Sequence, residues 1–159
     1  ESLTLGNSGS GSPHLIDVPQ VAPPLLTRYT DLFLNCTSFD DDLSGWNVGQ
    51  VTDISGTFQG CTNFNGDVTT WDVSNVVGAY GTFQGCTVFN QDISGWNTAK
   101  IADMSYMFSG AIAFSQNLSQ WCVSDILTEP ASFNDEGGIL TAEQKPVWGT
   151  CPRGENTLP

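Results

Sequence analysis

The sequence predicts an α/β repeat solenoid closed by a C-terminal cap, and three observations lead there. Aromatic landmarks recur every 25 residues: Trp46, Trp71, Trp96 and Trp121; Phe33, Phe58, Phe83 and Phe108; and Phe39, Phe64, Phe89 and Phe114, with Phe133 a further candidate for the first phenylalanine series. Smaller apolar residues keep the same register, in the columns Cys36, Cys61, Cys86, Ala111, then Leu43, Val68, Ile93, Leu118, and Val51, Val76, Ile101, Ile126. The composition is turn-rich, with 17 Gly and 8 Pro among 159 residues and a charged fraction of only 13%. One such unit cannot bury its apolar face alone, so it must stack on the next and turn each column into a ladder.

Taken in order, residues 1–27 form a Gly/Ser/Pro-rich arm or linker, running from Gly6 to Pro13 and on through Pro19, Pro23 and Pro24. The chain starts at Glu1 without an initiating Met or a basic-then-apolar leader, which suggests a removed signal or a trimmed chain. Residues 28–128 are the four-repeat solenoid. Within each repeat the segments 42–46, 67–71, 92–96 and 117–121 are short, β-compatible and flanked by Asn, Gly and Asp, so they read as stacked parallel strands about 4.8 Å apart. The segments 54–58, 79–83 and 104–108 read as one short helical turn per coil, ended by a left-handed Gly60, Gly85 or Gly110. Residues 129–159 are the cap and tail that an open solenoid end requires.

Charge narrows the partners. Four Lys plus Arg stand against 17 Asp plus Glu, a formal net charge of -13, which repels phosphate backbones and anionic headgroups. No apolar stretch approaches the roughly 20 residues needed to cross a bilayer, so neither nucleic acid nor direct membrane insertion is expected. A protein or glycan partner with a basic or neutral surface fits better.

The polar columns admit two readings each. Asp42, Asp67 and Asp92, followed by Asn117, place like charges in line, and each carboxylate either accepts backbone N–H groups of its own turn or joins Asp40 and Asp41 in binding Ca²⁺. Asx bonding is preferred, since nothing matches a 12-residue calcium loop, and no other cofactor is expected. The Trp column packs at the core edge or, pointing outward, receives sugar rings. Thr37, Thr62 and Thr87, with the Ser or Thr residues at 44, 69, 94 and 119, make turn hydrogen bonds or a flat hydroxyl face of the ice-binding kind. Cys36, Cys61 and Cys86 share a position that accepts Ala111, so they read as small buried residues with free thiols. Cys122 and Cys151 flank the cap, where a disulfide is expected and zinc is the rival, although His14 is the only histidine. Asn35 and Asn117 open N-glycosylation sequons inside repeat turns. No nucleophile and base grouping or phosphate loop is present, and a carboxylate ladder offers like environments where acid–base work needs unlike ones.

The run Gly81-Thr82-Phe83-Gln84-Gly85-Cys86-Thr87-Val88-Phe89-Asn90-Gln91-Asp92-Ile93-Ser94-Gly95-Trp96-Asn97 resembles the repeat of the BspA-like leucine-rich-repeat surface proteins, with its Phe-Asn-Gln-Asp and Trp-Asp-Val-Ser signatures. The likeness spans 28–128, and the endings Trp-Cys-Val-Ser and Val-Trp-Gly-Thr-Cys-Pro extend it. It departs at Asp40-Asp41-Asp42, which stands for Asn-Gln-Asp, and at Gly78-Ala79-Tyr80, which stands for Asp-Met-Ser. The resemblance implies a leucine-rich-repeat-like right-handed coil, secretion or surface display, and adhesion or protein binding, with no catalytic residue to transfer. The expected function is therefore a non-catalytic, extracellular or surface-displayed binding module. The alternatives are a structural subunit of an assembly such as a virion, held to neighbouring subunits by its arm, and a glycan- or calcium-dependent module.

Overall fold

The computed structural model describes residues 26–152, so residues 1–25 of the arm and the last seven residues lie outside the described residues. Backbone bonds from Thr52 N–H to Thr27 O, Val77 to Thr52 and Ala102 to Val77 divide the chain into coil 1 (27–51), coil 2 (52–76), coil 3 (77–101), coil 4 (102–126) and a cap (127–152). Isolated parallel bridges join Arg28 to Asp53, Asp53 to Gly78 and Gly78 to Asp103, fixing the vertical register at 25 residues.

The core is three files of rings. Phe33, Phe58, Phe83 and Phe108 stack with centroids 5.5, 5.6 and 5.7 Å apart and planes within 9°. Phe39, Phe64, Phe89 and Phe114 repeat this at 5.6, 5.9 and 5.6 Å. Trp71, Trp96 and Trp121 stack at 6.4 Å. Within a coil the two phenylalanine files interlock, for example Phe83 on Phe89 at 4.0 Å. All these rings are buried, and burying this much aromatic surface dominates the stabilisation.

The expected α/β solenoid, with its leucine-rich-repeat-like strand and helical turn, does not form. Among the described residues there is no helix, and β pairing is confined to the three bridges. The stretch read as a helical turn is a chain of tight turns. In coil 2, Thr57, Gln59 and Cys61 donate to the carbonyls of Ile54, Gly56 and Phe58, three residues back. Ile54, Gly56, Phe58 and Gly60 instead donate to Gly78, Tyr80, Thr82 and Gln84 of coil 3. Half of the N–H groups thus leave the coil, where a helix would keep them all. Gly56 and Gly60, at φ 62° and 75°, stand third in their turns, the left-handed place of a type II turn. Gly85 and Gly110 are left-handed too, as expected, but inside turns and not at helix ends. The misleading signal is the spacing of Ile54, Phe58, Cys61 and Phe64, which turns of three and four residues reproduce as well as a helix does.

The segments read as strands are turns as well. Trp46, Trp71, Trp96 and Trp121 each donate backbone N–H to the residue three before, so the chain reverses where extension was expected. Parallel pairing falls instead on the 28, 53, 78, 103 column, whose residues carry no strand-like composition.

The cap behaves as a partial fifth coil. Tyr106, Phe108 and Gly110 donate to Ala131, Phe133 and Asp135. Phe133 continues the first file with its ring turned 86° to Phe108, and Trp148 meets it edge-on at 5.0 Å, so flat stacking ends there. The Cys122–Cys151 disulfide, as expected, ties the segment to coil 4.

Candidate interaction faces

Inward-pointing polar atoms are spent on holding coils together. The indole Nε1–H groups of Trp71, Trp96 and Trp121 donate to the carbonyls of Leu43, Val68 and Ile93, each at 3.1 Å and each 28 residues back. Buried and bonded this way, the Trp column presents no ring face to a sugar, which settles its two readings for the core. Cys36, Cys61 and Cys86 are buried and form no disulfide, as expected. The thiols of Cys61 and Cys86 donate to Phe33 and Phe58 carbonyls at 2.9 and 3.0 Å, and burial pushes both thiols above the ordinary range. Such thiols are poor nucleophiles. Thr62 and Thr87 hydroxyls donate to Thr37 and Thr62 carbonyls, so this column bonds between coils and forms no free hydroxyl array.

The edge carrying Asn-Gln-Asp divides three tasks among three residues. Asn65 Oδ1 accepts the Asn90 N–H at 2.9 Å, and Asn90 Oδ1 accepts that of Ser115 at 3.0 Å, continuing from Asp40 Oδ1 beneath Asn65. Gln91 and Gln116 amides donate down to the Asn65 and Asn90 carbonyls, and Gln144 of the cap does the same to Ser115. The aspartate caps its own turn: Asp42, Asp67 and Asp92 accept the N–H groups of Ser44, Thr69 and Ser94 at 2.8, 2.8 and 3.1 Å, as Asn117 does for Ser119. Hydroxyl and backbone donation from Ser44 and Ser94 holds the Asp42 and Asp92 carboxyls below the usual range. These are the Asx turns preferred from sequence. No three of His, Cys, Asp and Glu converge as a metal site among the described residues, so Asp40, Asp41, Asp42, Asp67 and Asp92 are not brought together as a calcium cage. The Asn and Gln ladders went unread in the sequence, although Asn65 and Asn90, and Gln91 and Gln116, stand in register there.

Residues 27–140, more than two thirds of the chain, match the family described as Mycoplasma protein of unknown function, DUF285. The chain belongs to this DUF285 family. Comparison with curated proteins and with solved structures finds no match. The DUF285 segment begins at the first residue of coil 1 and runs into the cap as far as buried Leu140.

The outer surface of this DUF285 chain breaks the repeat where the core keeps it. Val77, Tyr80, Val88 and Ile112 are 50%, 41%, 44% and 49% exposed. At the same register Tyr80 faces Ser55 and Ser105, and Ile112 faces Thr37, Thr62 and Thr87, whereas Val77 has Thr52 below and Ala102 above, and Val88 has Asn63 below and Ala113 above. Tyr106 takes the left-handed place that Gly56 and Gly81 hold, at φ 60°, a strain of about 1 kcal/mol for a residue with a Cβ. Its ring lies 5.3 Å from that of Tyr80 in the coil beneath. The cations among the described residues are engaged: Arg28 pairs with Asp53, Lys145 with Glu129, and Lys100 Nζ donates to Asn75 Oδ1 at 2.7 Å.

Proposed function

We propose that this protein is a non-catalytic binding or adhesion module, secreted or displayed at a surface, whose outer face carries the recognition. One observation carries the reading. Coils 3 and 4 expose Val77, Tyr80, Val88 and Ile112, with Tyr80 and Ile112 at positions that are Ser or Thr in the coils beside them, while the Phe and Trp files of the core are kept. Large apolar side chains exposed at a protein surface favour contact with a partner. The stack is a rigid scaffold of like units, and substitutions at its surface change what it presents without touching what holds it up. The disulfide and the likeness to BspA-like surface proteins support an extracellular or surface location. The absence of catalysis is supported by the carboxylate columns, whose members sit in matching Asx turns.

The test is retention of defined surface ligands. The chain, immobilised through an added terminal tag, is presented to arrays of purified cell-surface proteins and of glycans, at low and at physiological salt. Saturable binding to a protein ligand that weakens in the quadruple variant V77T/Y80S/V88S/I112T is the expected outcome. No saturable binding on either array would overturn the reading.

A further inference from the structure

Resting on the binding reading above, we propose that the Tyr80 and Tyr106 pair, flanked by Asp103, is the docking point for a cationic side chain, arginine or lysine, on a basic protein partner. The pair is made by two independent departures from the repeat. Tyr80 stands where coils 2 and 4 carry Ser55 and Ser105, and Tyr106 where coils 2 and 3 carry Gly56 and Gly81. Tyr80 is 41% exposed, and half-buried Tyr106 holds a backbone conformation that glycine adopts without strain. Together they set two rings 5.3 Å apart and tilted 46°, an aromatic corner of one exposed and one half-buried ring.

Charge decides the occupant. Asp103 is exposed, pairs across the parallel bridge with Gly78, two residues before Tyr80, and stands three residues before Tyr106. Its Oδ1 is taken by the Ser105 N–H, which fixes the carboxylate while leaving its charge at the surface. In the same column the Asp53 carboxylate below is paired with Arg28, so Asp103 is the acid that faces this corner. With a net charge of -13 and no cation among the residues that form this corner, the long-range field favours a positive group. Aromatic faces attract arginine and lysine, and a neighbouring carboxylate strengthens that contact.

The experiment uses the whole chain and a fluorescein-labelled peptide of alternating Arg and Ser, read by anisotropy at physiological ionic strength, against an Ala and Ser control peptide. The variant Y80S/Y106G restores the residues that neighbouring coils carry at both positions. It should melt at the same temperature or higher, because a strained residue is replaced by glycine, and should bind the Arg peptide roughly tenfold more weakly. Asp103→Asn keeps the Ser105 bond and should weaken binding by about threefold. Undiminished peptide affinity in Y80S/Y106G would overturn the proposal, since attraction would then come from overall charge. A lowered melting temperature in that variant would overturn it too, by giving the tyrosines a packing role. Tyrosine-dependent binding of a neutral oligosaccharide without binding of the Arg peptide would leave the module reading standing and refute the cationic partner.

Discussion

Replacing Phe83 with alanine tests whether the ring files carry the fold. Phe83 is fully buried, 4.0 Å from Phe89, 5.6 Å from Phe58, 5.7 Å from Phe108 and 6.0 Å from Trp96, so truncation empties a space touched by three coils. Loss of burial and the cavity left behind cost about 3–5 kcal/mol for a phenylalanine of this kind. For a chain of this length each kcal/mol lowers the melting temperature by about 2–4 °C, so a fall on the order of 10 °C is expected, with a matching drop in the urea midpoint. Phe133→Ala is the internal comparison: its ring meets only Phe108 and Trp148, both edge-on, and lies at the end of the file. It should cost about half as much, because only one interface between units is disturbed. A Phe83→Ala loss below about 1.5 kcal/mol, or one equal to that of exposed Val88→Ala, would refute the stacked core.

Three further outcomes follow from the geometry. Reducing Cys122–Cys151, which spans 29 residues, should cost roughly 3–4 kcal/mol in chain-entropy terms, measured as a melting shift under reductant, while Cys36, Cys61 and Cys86 stay unreactive to iodoacetamide until the chain unfolds. Gly66→Ala should destabilise by more than about 2 kcal/mol in urea titration, because the added Cβ would lie 1.9 Å from the Asp41 carbonyl oxygen, a backbone atom that cannot swing aside. Asp42, Asp72 and Asp92 have carboxyls held low first by side-chain and then by backbone bonds from Ser44, Ser74 and Ser94, so their stabilisation is complete above the unfolded carboxylate range near pH 4 and is lost as pH falls through the lower folded values. Melting curves from pH 5 to 2 should show this loss, and D42N/D72N/D92N, whose amides keep the Oδ1 acceptor, should flatten that portion; an unchanged slope would speak against the Asx turns.

Register was legible in the sequence and backbone path was not. Equal spacing of Trp71, Trp96 and Trp121 leaves one economical arrangement, one above another, and the rings lie so at 6.4 Å. The same spacing says nothing of how the 25 residues between them travel. Ile54, Phe58, Cys61 and Phe64 carry helical periodicity, and only the left-handed Gly56 and Gly60, with N–H groups handed to the next coil, distinguish a chain of turns. The cap disulfide and the unbridged thiols could be read because Cys122 and Cys151 stand outside the column that Cys36, Cys61 and Cys86 share with Ala111. The Asn and Gln ladders escaped notice since single polar residues in a turn suggest local bonding, and bonding across 25 residues becomes visible only once the coils are stacked.

The bonds that step back by 28 residues give the molecule a discrete arithmetic. A whole coil inserted between coils 2 and 3 would find an indole, a thiol and a hydroxyl waiting at the right heights above and below, whereas one extra residue would put each of them opposite the wrong carbonyl. Size in such a chain can change only by complete copies, so duplication of a coding segment lengthens it harmlessly while a small slip within one does not.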